Sequence, residues 1–240
     1  MLFGRFLELG VSTRDIGASV AFYEQLGFFQ LPTTDTWSHP YGVVSDGRLC
    51  LGLHQSERAS PTLTFVRPDL ARHVHEIRAA GFEPHYARLG EADFHELQLR
   101  EHSGHIVTLL EARTHLAAAH ARLADSQCGY FAAFSLPALD YDQARAFWEH
   151  AGFVALGEQD EPYAHLSMTS DWLNLNLHRP RWLDAPVLVF TDPDMGARIA
   201  QLREQGHAFS RELPRTLDPR HNALLAAPEG TLLLLLNEPT

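Results

Sequence analysis

The residue of this sequence best placed to do chemistry is an isolated carboxylate on an apolar strand. Glu8 lies in the alternating segment from Phe6 to Ser12, which predicts a β-strand. Burying a carboxylate on a central strand is costly unless it meets a cation or a hydrogen-bond donor, or is protonated. Glu8 could receive a ligand's ammonium or hydroxyl group, or act as a general base. The structural alternative is an ion pair with an arginine such as Arg5, Arg48 or Arg100.

The histidines are numerous, at 15, but they are not spaced as helical metal chelates. His73 and His75 lie two positions apart on a predicted helix, and His115 and His120 lie five apart. A chelating pair on one helix face needs the i, i+4 spacing. Most of the histidines are therefore expected to be surface or partly buried side chains.

Composition limits the classes of protein that the chain can be. Its 240 residues are 45% apolar and carry a formal charge of −11, which indicates a globular fold and disfavours binding to nucleic acid. The longest apolar run, Leu232 to Leu236, is too short to cross a membrane. The N-terminus lacks the pattern of a secretory signal, and Cys50 and Cys128 do not form a paired-thiol motif. We therefore expect a cytoplasmic protein with no membrane association.

The sequence is internally repeated, which sets its organisation. The segment AFYEQLGF at 21–28 recurs as AFWEHAGF at 146–153, and IRAAG at 77–81 recurs as LREQG at 202–206, both offset by 125 residues. Within each half, a Gly-Phe or Gly-His pair returns after 54 residues. The repeats predict domains at 1–112 and 128–240, joined by an alanine-rich helical connector at 113–127.

Each quarter of the sequence indicates the same order of elements: a strand, an amphipathic helix that ends at glycine, and three more strands. In the first quarter, Ser12 or Thr13 could cap the helix. Four βαβββ units with a helix motif of the form (A/S)xxFYxxxLGF resemble the vicinal oxygen chelate superfamily, which includes glyoxalase I, extradiol dioxygenases and bleomycin resistance proteins. The resemblance covers about Phe6 to Glu238 and implies an α+β fold of two tandem modules, each a cup-shaped mixed sheet.

The resemblance also implies where metal-dependent relatives would hold a divalent cation. The corresponding positions of the first half are Glu8, Gly52, Thr62 and Thr108. Those of the second half are Ala133, Asn176, Val187 and Leu234. Only Glu8 is a normal metal donor. We therefore predict no cofactor, and the alternative is a displaced divalent-metal site near Glu8 and His54, completed by a histidine such as His39 or His95.

Strand alternation predicts which side chains line each cup. The first lining is weakly polar and comprises Phe6, Glu8, Gly10, Cys50, Gly52, His54, Thr62, Thr64, Ile106 and Thr108. The second is largely apolar and comprises Phe131, Ala133, Ser135, Asn174, Asn176, His178, Val187, Val189, Leu232, Leu234 and Leu236. Aromatic side chains are expected near the mouths: Trp37 and Tyr41 in the first half, Tyr163 and Trp172 in the second.

These observations predict a metal-independent protein that binds a small aromatic or amphipathic molecule in a cup and resembles the drug-resistance branch of the superfamily. The predicted ligand-binding residues are Glu8, Trp37, Tyr41, Gly52, His54, Thr62, Thr108, Tyr163, Trp172, Asn176 and His178. The alternative is a glyoxalase- or dioxygenase-type enzyme. The resemblance implies that single-copy relatives dimerise, and a tandem chain can satisfy that pairing internally, so a monomer or a homodimer is expected.

Overall fold

A computed structural model describes residues 2–33, 37–90, 94–112, 126–181, 183–210, 213–214 and 216–238. Most of the predicted helical connector at 113–127 lies outside the described residues. The first module contains β1 (Arg5–Ser12), α1 (Ile16–Gln25), β2 (Phe29–Leu31), β3 (Tyr41–Ser45), β4 (Cys50–His54), β5 (Thr62–Arg67), α2 (Leu70–Ala79), β6 (Tyr86–Arg88), β7 (Glu96–Arg100) and β8 (Ile106–Glu111).

The second module repeats this order. It contains β9 (Tyr130–Pro137), α3 (Tyr141–Ala151), β10 (Val154–Gln159), β11 (His165–Thr169), β12 (Asn174–His178), β13 (Val187–Asp192), α4 (Met195–Glu204), β14 (Phe209–Ser210), β15 (Ala223–Ala226) and β16 (Leu232–Asn237). The strands form two eight-stranded mixed sheets, ordered β2-β3-β4-β1-β5-β8-β7-β6 and β10-β11-β12-β9-β13-β16-β15-β14. The α+β fold of four βαβββ units is confirmed.

The helices begin and end where short polar residues and glycine allow. Asp15, rather than the predicted Ser12 or Thr13, caps α1 by accepting a hydrogen bond from the Ala18 amide at 3.0 Å. Thr13 instead accepts from the Asp15 amide at 3.2 Å. The helix is followed by Gly27, whose φ of 87° lies in the left-handed region that favours glycine.

Two β-bulges change the predicted cup linings. The pairing of β1 with β5 shifts between Phe6 and Glu8, so Phe6 pairs with Phe65 while Glu8 pairs with Thr64. Phe6 therefore turns to the helix-covered face and packs on Phe65, with ring centroids 5.5 Å apart. An equivalent shift between Val189 and Phe190 turns Phe131 to the same kind of face. A bulge adds one residue to a strand and reverses the alternation beyond it, which the sequence pattern did not show.

The two modules pack through their helix-covered faces and share one apolar core. Phe147 on α3 lies 6.2 Å from Phe3 and 5.1 Å from Phe82, both in the first module. Phe28 similarly lies 6.4 Å from Phe190. Since these faces are buried against each other, the concave face of each sheet is left on the outer side of its module.

Two cation–π contacts join the modules at the edges of their interface, which we call the seam. Arg5 at the start of β1 lies 4.5 Å from the ring of Trp172, and Arg48 lies 4.4 Å from the ring of Tyr130 at the start of β9. Arg5 and Tyr130 occupy equivalent places in the two modules, so cation and ring are exchanged across the seam. Among the described helices, none combines the length and apolar character needed to cross a membrane.

The shared core predicts that the modules unfold together. Replacing Phe147 with Ala removes a side chain that contacts aromatic rings of both modules, so it should cost about 3–5 kcal/mol of unfolding free energy. Urea denaturation followed by fluorescence and far-UV circular dichroism should still show one coincident transition. The control Val154→Ala, at a position 61% exposed, should change stability by less than about 0.5 kcal/mol. Separate transitions for the two modules in the wild-type protein would contradict a common core.

Candidate functional site

The concave face of the first module is built around Glu8, which is only 1% exposed on the central strand β1. Gly52 lies beside it, because β1 and β4 pair with Gly10 opposite Gly52. A Cβ atom at position 52 would overlap the Glu8 carboxylate. Glycine at this position therefore supplies the space in which the carboxylate lies, which is the role that the structure gives to this predicted site residue.

One oxygen of the Glu8 carboxylate accepts a hydrogen bond, and the other has no hydrogen-bond partner. The Tyr41 hydroxyl donates to Oε2. The other oxygen, Oε1, lies 3.4 Å from His54 Nε2, which is longer than a normal hydrogen bond, and it has no hydrogen-bond partner. The predicted arginine partners Arg5 and Arg48 are instead engaged with aromatic rings at the module seam. Burial of the Tyr41 hydroxyl and its proximity to Glu8 raise the Tyr41 pKa, so this phenol stays protonated as a donor.

Two histidines extend the cluster from Glu8 towards the mouth of the cup. His39 Nε2 lies 2.9 Å from His54 Nδ1, so one ring donates to the other. We assign the proton to His39 Nε2, because His54 then presents Nε2–H, rather than a lone pair, to the Glu8 carboxylate. Burial lowers the His39 pKa, which favours its neutral form. Glu8, His54 and His39 thus lie in a line in which His39 and His54 are hydrogen-bonded and His54 faces Glu8 at 3.4 Å.

The mouth of the first cup is an open depression of about 490 Å³. Arg58 stacks on Trp37, with its guanidinium carbon 4.2 Å from the ring centre, and the Trp37 ring lies edge-on to His54 at 5.0 Å. Glu96 accepts contacts from Arg58 at 3.3 Å and Arg88 at 3.4 Å. Two guanidinium groups therefore face one carboxylate at the surface of this depression.

The predicted site residues Thr62 and Thr108 lie on the cup face but do not contact Glu8. Thr62 donates to the Ala59 carbonyl at 2.8 Å, and the buried Thr108 hydroxyl has no hydrogen-bond partner. A small hole of about 10 Å³ lies beside His54 and Thr62 and extends to Gly10. This is about the space that one water molecule needs.

The second cup is filled by its own side chains. Val187, Val189, Leu234 and Leu236 from the sheet pack with Tyr163 and with leucines of the covering loops, which are Leu183, Leu213 and Leu217. Tyr163 is 4% exposed, so this predicted mouth residue lies within the filling. Trp172, 45% exposed, stacks on Arg5 at the module seam.

A linear series of hydrogen bonds runs through this packed cup. The Asn176 amide donates to the Tyr163 hydroxyl at 3.1 Å, and this hydroxyl donates to Ser135 Oγ at 3.1 Å. Ser135 in turn donates to His178 Nδ1 at 2.8 Å, and His178 Nε2 donates to the Leu183 carbonyl at 3.2 Å. The predicted residues Asn176 and His178 are thus joined, and each donor in the chain has its acceptor.

Two positions of the first strands contribute to the different surroundings of the two cup histidines, His54 and His178. Glu8 and Gly10 of β1 correspond to Ala133 and Ser135 of β9, as the pairing with β5 and β13 shows. Ser135 supplies the hydroxyl that holds His178. Gly10 supplies none, and its missing Cβ would lie 3.2 Å from His54 Nε2, so His54 turns to Glu8 and His39 instead.

The described side chains do not fit a resident divalent metal. Ala133, Val187 and Leu234, at the positions where the resemblance places ligands, carry no donor atoms. In the first cup, the orphaned Glu8 Oε1 and His54 Nε2 are two donors, and His39 Nε2 is engaged with His54. Across the described ranges, no group of at least three His, Cys, Asp or Glu side chains is placed to hold a metal ion.

Comparison with solved structures identifies the fold. The chain is similar to 2,2',3-trihydroxybiphenyl 1,2-dioxygenase from Sphingomonas wittichii RW1, with TM-score 0.60 and 12% identity over 96% of this chain and 89% of that one. It is also similar to a variant of homoprotocatechuate 2,3-dioxygenase from B. fuscum, with TM-score 0.64 and 15% identity over 99% and 72%. Catechol 2,3-dioxygenase gives TM-score 0.58 and 12% identity over 96% and 86%.

These similarities show that the chain has the fold of these dioxygenases, with two tandem modules, which confirms the fold that the resemblance implies. No protein-family model and no curated protein sequence matches it. His39 and Arg58 were not among the predicted ligand-binding residues. The sequence indicates His39 only as a candidate to complete a displaced metal site with Glu8 and His54, and the structure places it against His54. Arg58 has no such signal, because it reaches the cup from a loop and not from a strand.

The overlap between Gly52 and Glu8 predicts an energetic coupling. Gly52→Ala should cost about 1–3 kcal/mol of unfolding free energy, because the added methyl group must displace the buried carboxylate. The same substitution in a Glu8→Ala background should cost at least about 1 kcal/mol less. Urea denaturation of the wild type, both single variants and the double variant measures this difference. Additive effects would show that the carboxylate does not occupy the space beside position 52.

The buried His178 predicts a loss of stability in acid. Burial lowers its pKa from 6.5 to about 4, so the stabilisation due to the neutral ring is fully present above pH 6.5 and is lost as pH falls towards about 4. From about pH 7.5 to about pH 5 this group should contribute a loss of about 2 kcal/mol. Denaturation across this range should give a shallower pH dependence for His178→Gln than for the wild type. Equal slopes would contradict the predicted shift.

Proposed function

We propose that this chain binds a small hydroxylated aromatic acid at the mouth of the first cup. The observation that carries the proposal is the line of Glu8, His54 and His39 leading to a depression that is walled by Trp37 and Arg58. The second cup, packed with apolar side chains and a satisfied hydrogen-bond chain, serves as structural support.

The depression supplies one feature for each part of such a ligand. Its aromatic side chains, Trp37, Tyr86 and Phe94, offer surface for an aromatic ring. Arg58 and Arg88, which share the single carboxylate of Glu96, offer donors to an anionic group. With Nε2 protonated, His39 keeps Nδ1 as an acceptor for a ligand hydroxyl.

The buried carboxylate gives this acceptor a chemical role. A proton received by His39 from a ligand hydroxyl can be balanced by transfer of the His39 Nε2 proton to His54, and of the His54 Nε2 proton to Glu8. The second transfer requires the 3.4 Å separation between His54 Nε2 and Glu8 Oε1 to shorten to hydrogen-bond distance. Charge would then develop on the ligand oxygen beside His39, while the buried carboxylate is neutralised. Glu8 thus acts through His54 and His39 rather than by direct contact with the ligand.

A ring-cleaving dioxygenase is the second candidate function, and the solved structures named above favour it over passive binding. The names of two of these dioxygenases refer to a trihydroxybiphenyl and to catechol. Both compounds are hydroxylated aromatics, the chemical class that the mouth of the first cup suits. The residues at the expected metal positions do not support this candidate. A cytoplasmic location and the predicted monomer or homodimer remain predictions for either function.

Titration calorimetry with 4-hydroxyphenylacetate tests the proposed binding. This probe should bind more tightly than phenylacetate, which lacks the hydroxyl, and than tyramine, which replaces the carboxylate by an ammonium group. Arg58→Gln should weaken binding at least about tenfold, equivalent to about 1.4 kcal/mol. The matched control Arg100→Gln changes an arginine of β7 outside the depression and should leave affinity unchanged.

Two results would decide against metal-independent binding at this mouth. One is equal affinity of wild type and Arg58→Gln for 4-hydroxyphenylacetate. The other is oxygen consumption with catechol in the presence of added ferrous ion, lost in both Glu8→Gln and His54→Gln, which would establish the dioxygenase-type candidate with a displaced metal site.

A further inference from the structure

A further cavity lies between the two modules, on the helix-covered side of both sheets. Its volume is about 300 Å³, within the size range of small-molecule sites. Its apolar walls come from the helix-covered faces of both sheets, with Leu9 and Leu51 from the first module and Phe134 and Leu188 from the second. The cavity therefore exists only because the modules are packed together.

A carboxylate lines this cavity without a cationic partner. Glu229, half-buried, accepts hydrogen bonds from the Tyr23 hydroxyl at 2.7 Å and from Ser19 Oγ at 2.9 Å, both on α1 of the first module. Among the described residues, no arginine or histidine lies within ion-pair distance of Glu229. Burial, and then the nearby Glu229, raise the Tyr23 pKa, so the phenol remains a neutral donor.

The internal duplication shows how the two ends of the seam differ at one pair of equivalent positions. Gly104 and Gly230 precede β8 and β16 at equivalent places, so His105 in the first module corresponds to Thr231 in the second. At its end of the seam, His105 reaches across the modules and its Nε2 lies 2.8 Å from the Pro137 carbonyl. Thr231 is too short to make the equivalent bridge, and it lines the cavity.

We propose that this cavity binds a small organic cation, an ammonium group attached to an apolar body. The apolar walls would cover the body, and the ammonium group would supply the positive charge that Glu229 lacks among its neighbours. A carboxylate held by neutral donors in a partly desolvated setting gains more from a cation than an exposed carboxylate does. The net charge of −11 favours the approach of such a ligand.

The proposal is tested by titrating the full chain with benzylammonium and with two probes of similar shape, benzyl alcohol and benzoate. Chemical-shift changes in NMR spectra give the dissociation constants. Benzylammonium should bind at least tenfold more tightly than either of the other probes. Glu229→Gln, which keeps oxygen and nitrogen atoms in place of the carboxylate, should weaken benzylammonium binding at least tenfold.

A second pair of variants tests the location. Thr231→His introduces the side chain that closes the opposite end of the seam, so it should abolish binding, whereas Thr231→Val removes the same hydroxyl without filling the cavity and should retain it. Urea denaturation checks that each variant is folded. No measurable benzylammonium binding to the wild type, or unchanged affinity in folded Glu229→Gln or Thr231→His, would overturn the proposal.

Discussion

The packing of the two sheets through their helix-covered faces is the constraint on which the rest of this structure depends. One apolar core, reinforced by contacts such as Phe147 with Phe3 and Phe82, consumes both of these faces. The concave faces are not buried by this packing, so each is covered by side chains and loops of its own module. The second module covers its concave face with leucines and a satisfied hydrogen-bond chain. The first covers its concave face with Trp37 and Arg58, above a Glu8 carboxylate that has one oxygen without a hydrogen-bond partner.

His54 and His178 occupy equivalent positions but have different surroundings. His178 has a donor at one ring nitrogen and an acceptor at the other, and burial lowers its pKa. His54 has a histidine at one nitrogen and, at the other, a carboxylate that lies beyond normal hydrogen-bond distance. Polar groups that are buried and incompletely satisfied are costly, and their retention is commonly associated with function.

The duplication and the order of the elements followed from the sequence, because the constant offset and the strand and helix periodicities can be read directly from it. The cup-shaped sheets and the inward direction of Glu8 and Gly52 followed from the resemblance to the vicinal oxygen chelate superfamily, and strand alternation then added His54. The bulges that turn Phe6 and Phe131 to the core could not be read in the same way, since a bulge is set by the pairing of two strands distant in sequence. The capping role of Asp15 depended on where the chain leaves β1. Residues that reach the site from loops, such as His39 and Arg58, carry no periodic signal.

The cavity at the module seam could not be predicted from the sequence, because it depends on how the two modules pack. Glu229 meets Tyr23 and Ser19 across more than two hundred residues of chain, and that contact depends on how the two modules pack. The sequence alignment of the halves places Thr231 opposite His105, but only the packing shows that one position bridges the seam and the other lines a space.

The central claim is that the mouth of the first cup, and not the second cup, is where this chain holds an aromatic ligand. Anomalous diffraction from crystals soaked with 3-iodo-4-hydroxyphenylacetate locates the ligand directly through its iodine atom. An iodine peak is expected in the depression beside Trp37, His39 and Arg58, with the carboxylate of the ligand on Arg58 and Arg88. An iodine peak within the second cup, with none at the first, would contradict this claim.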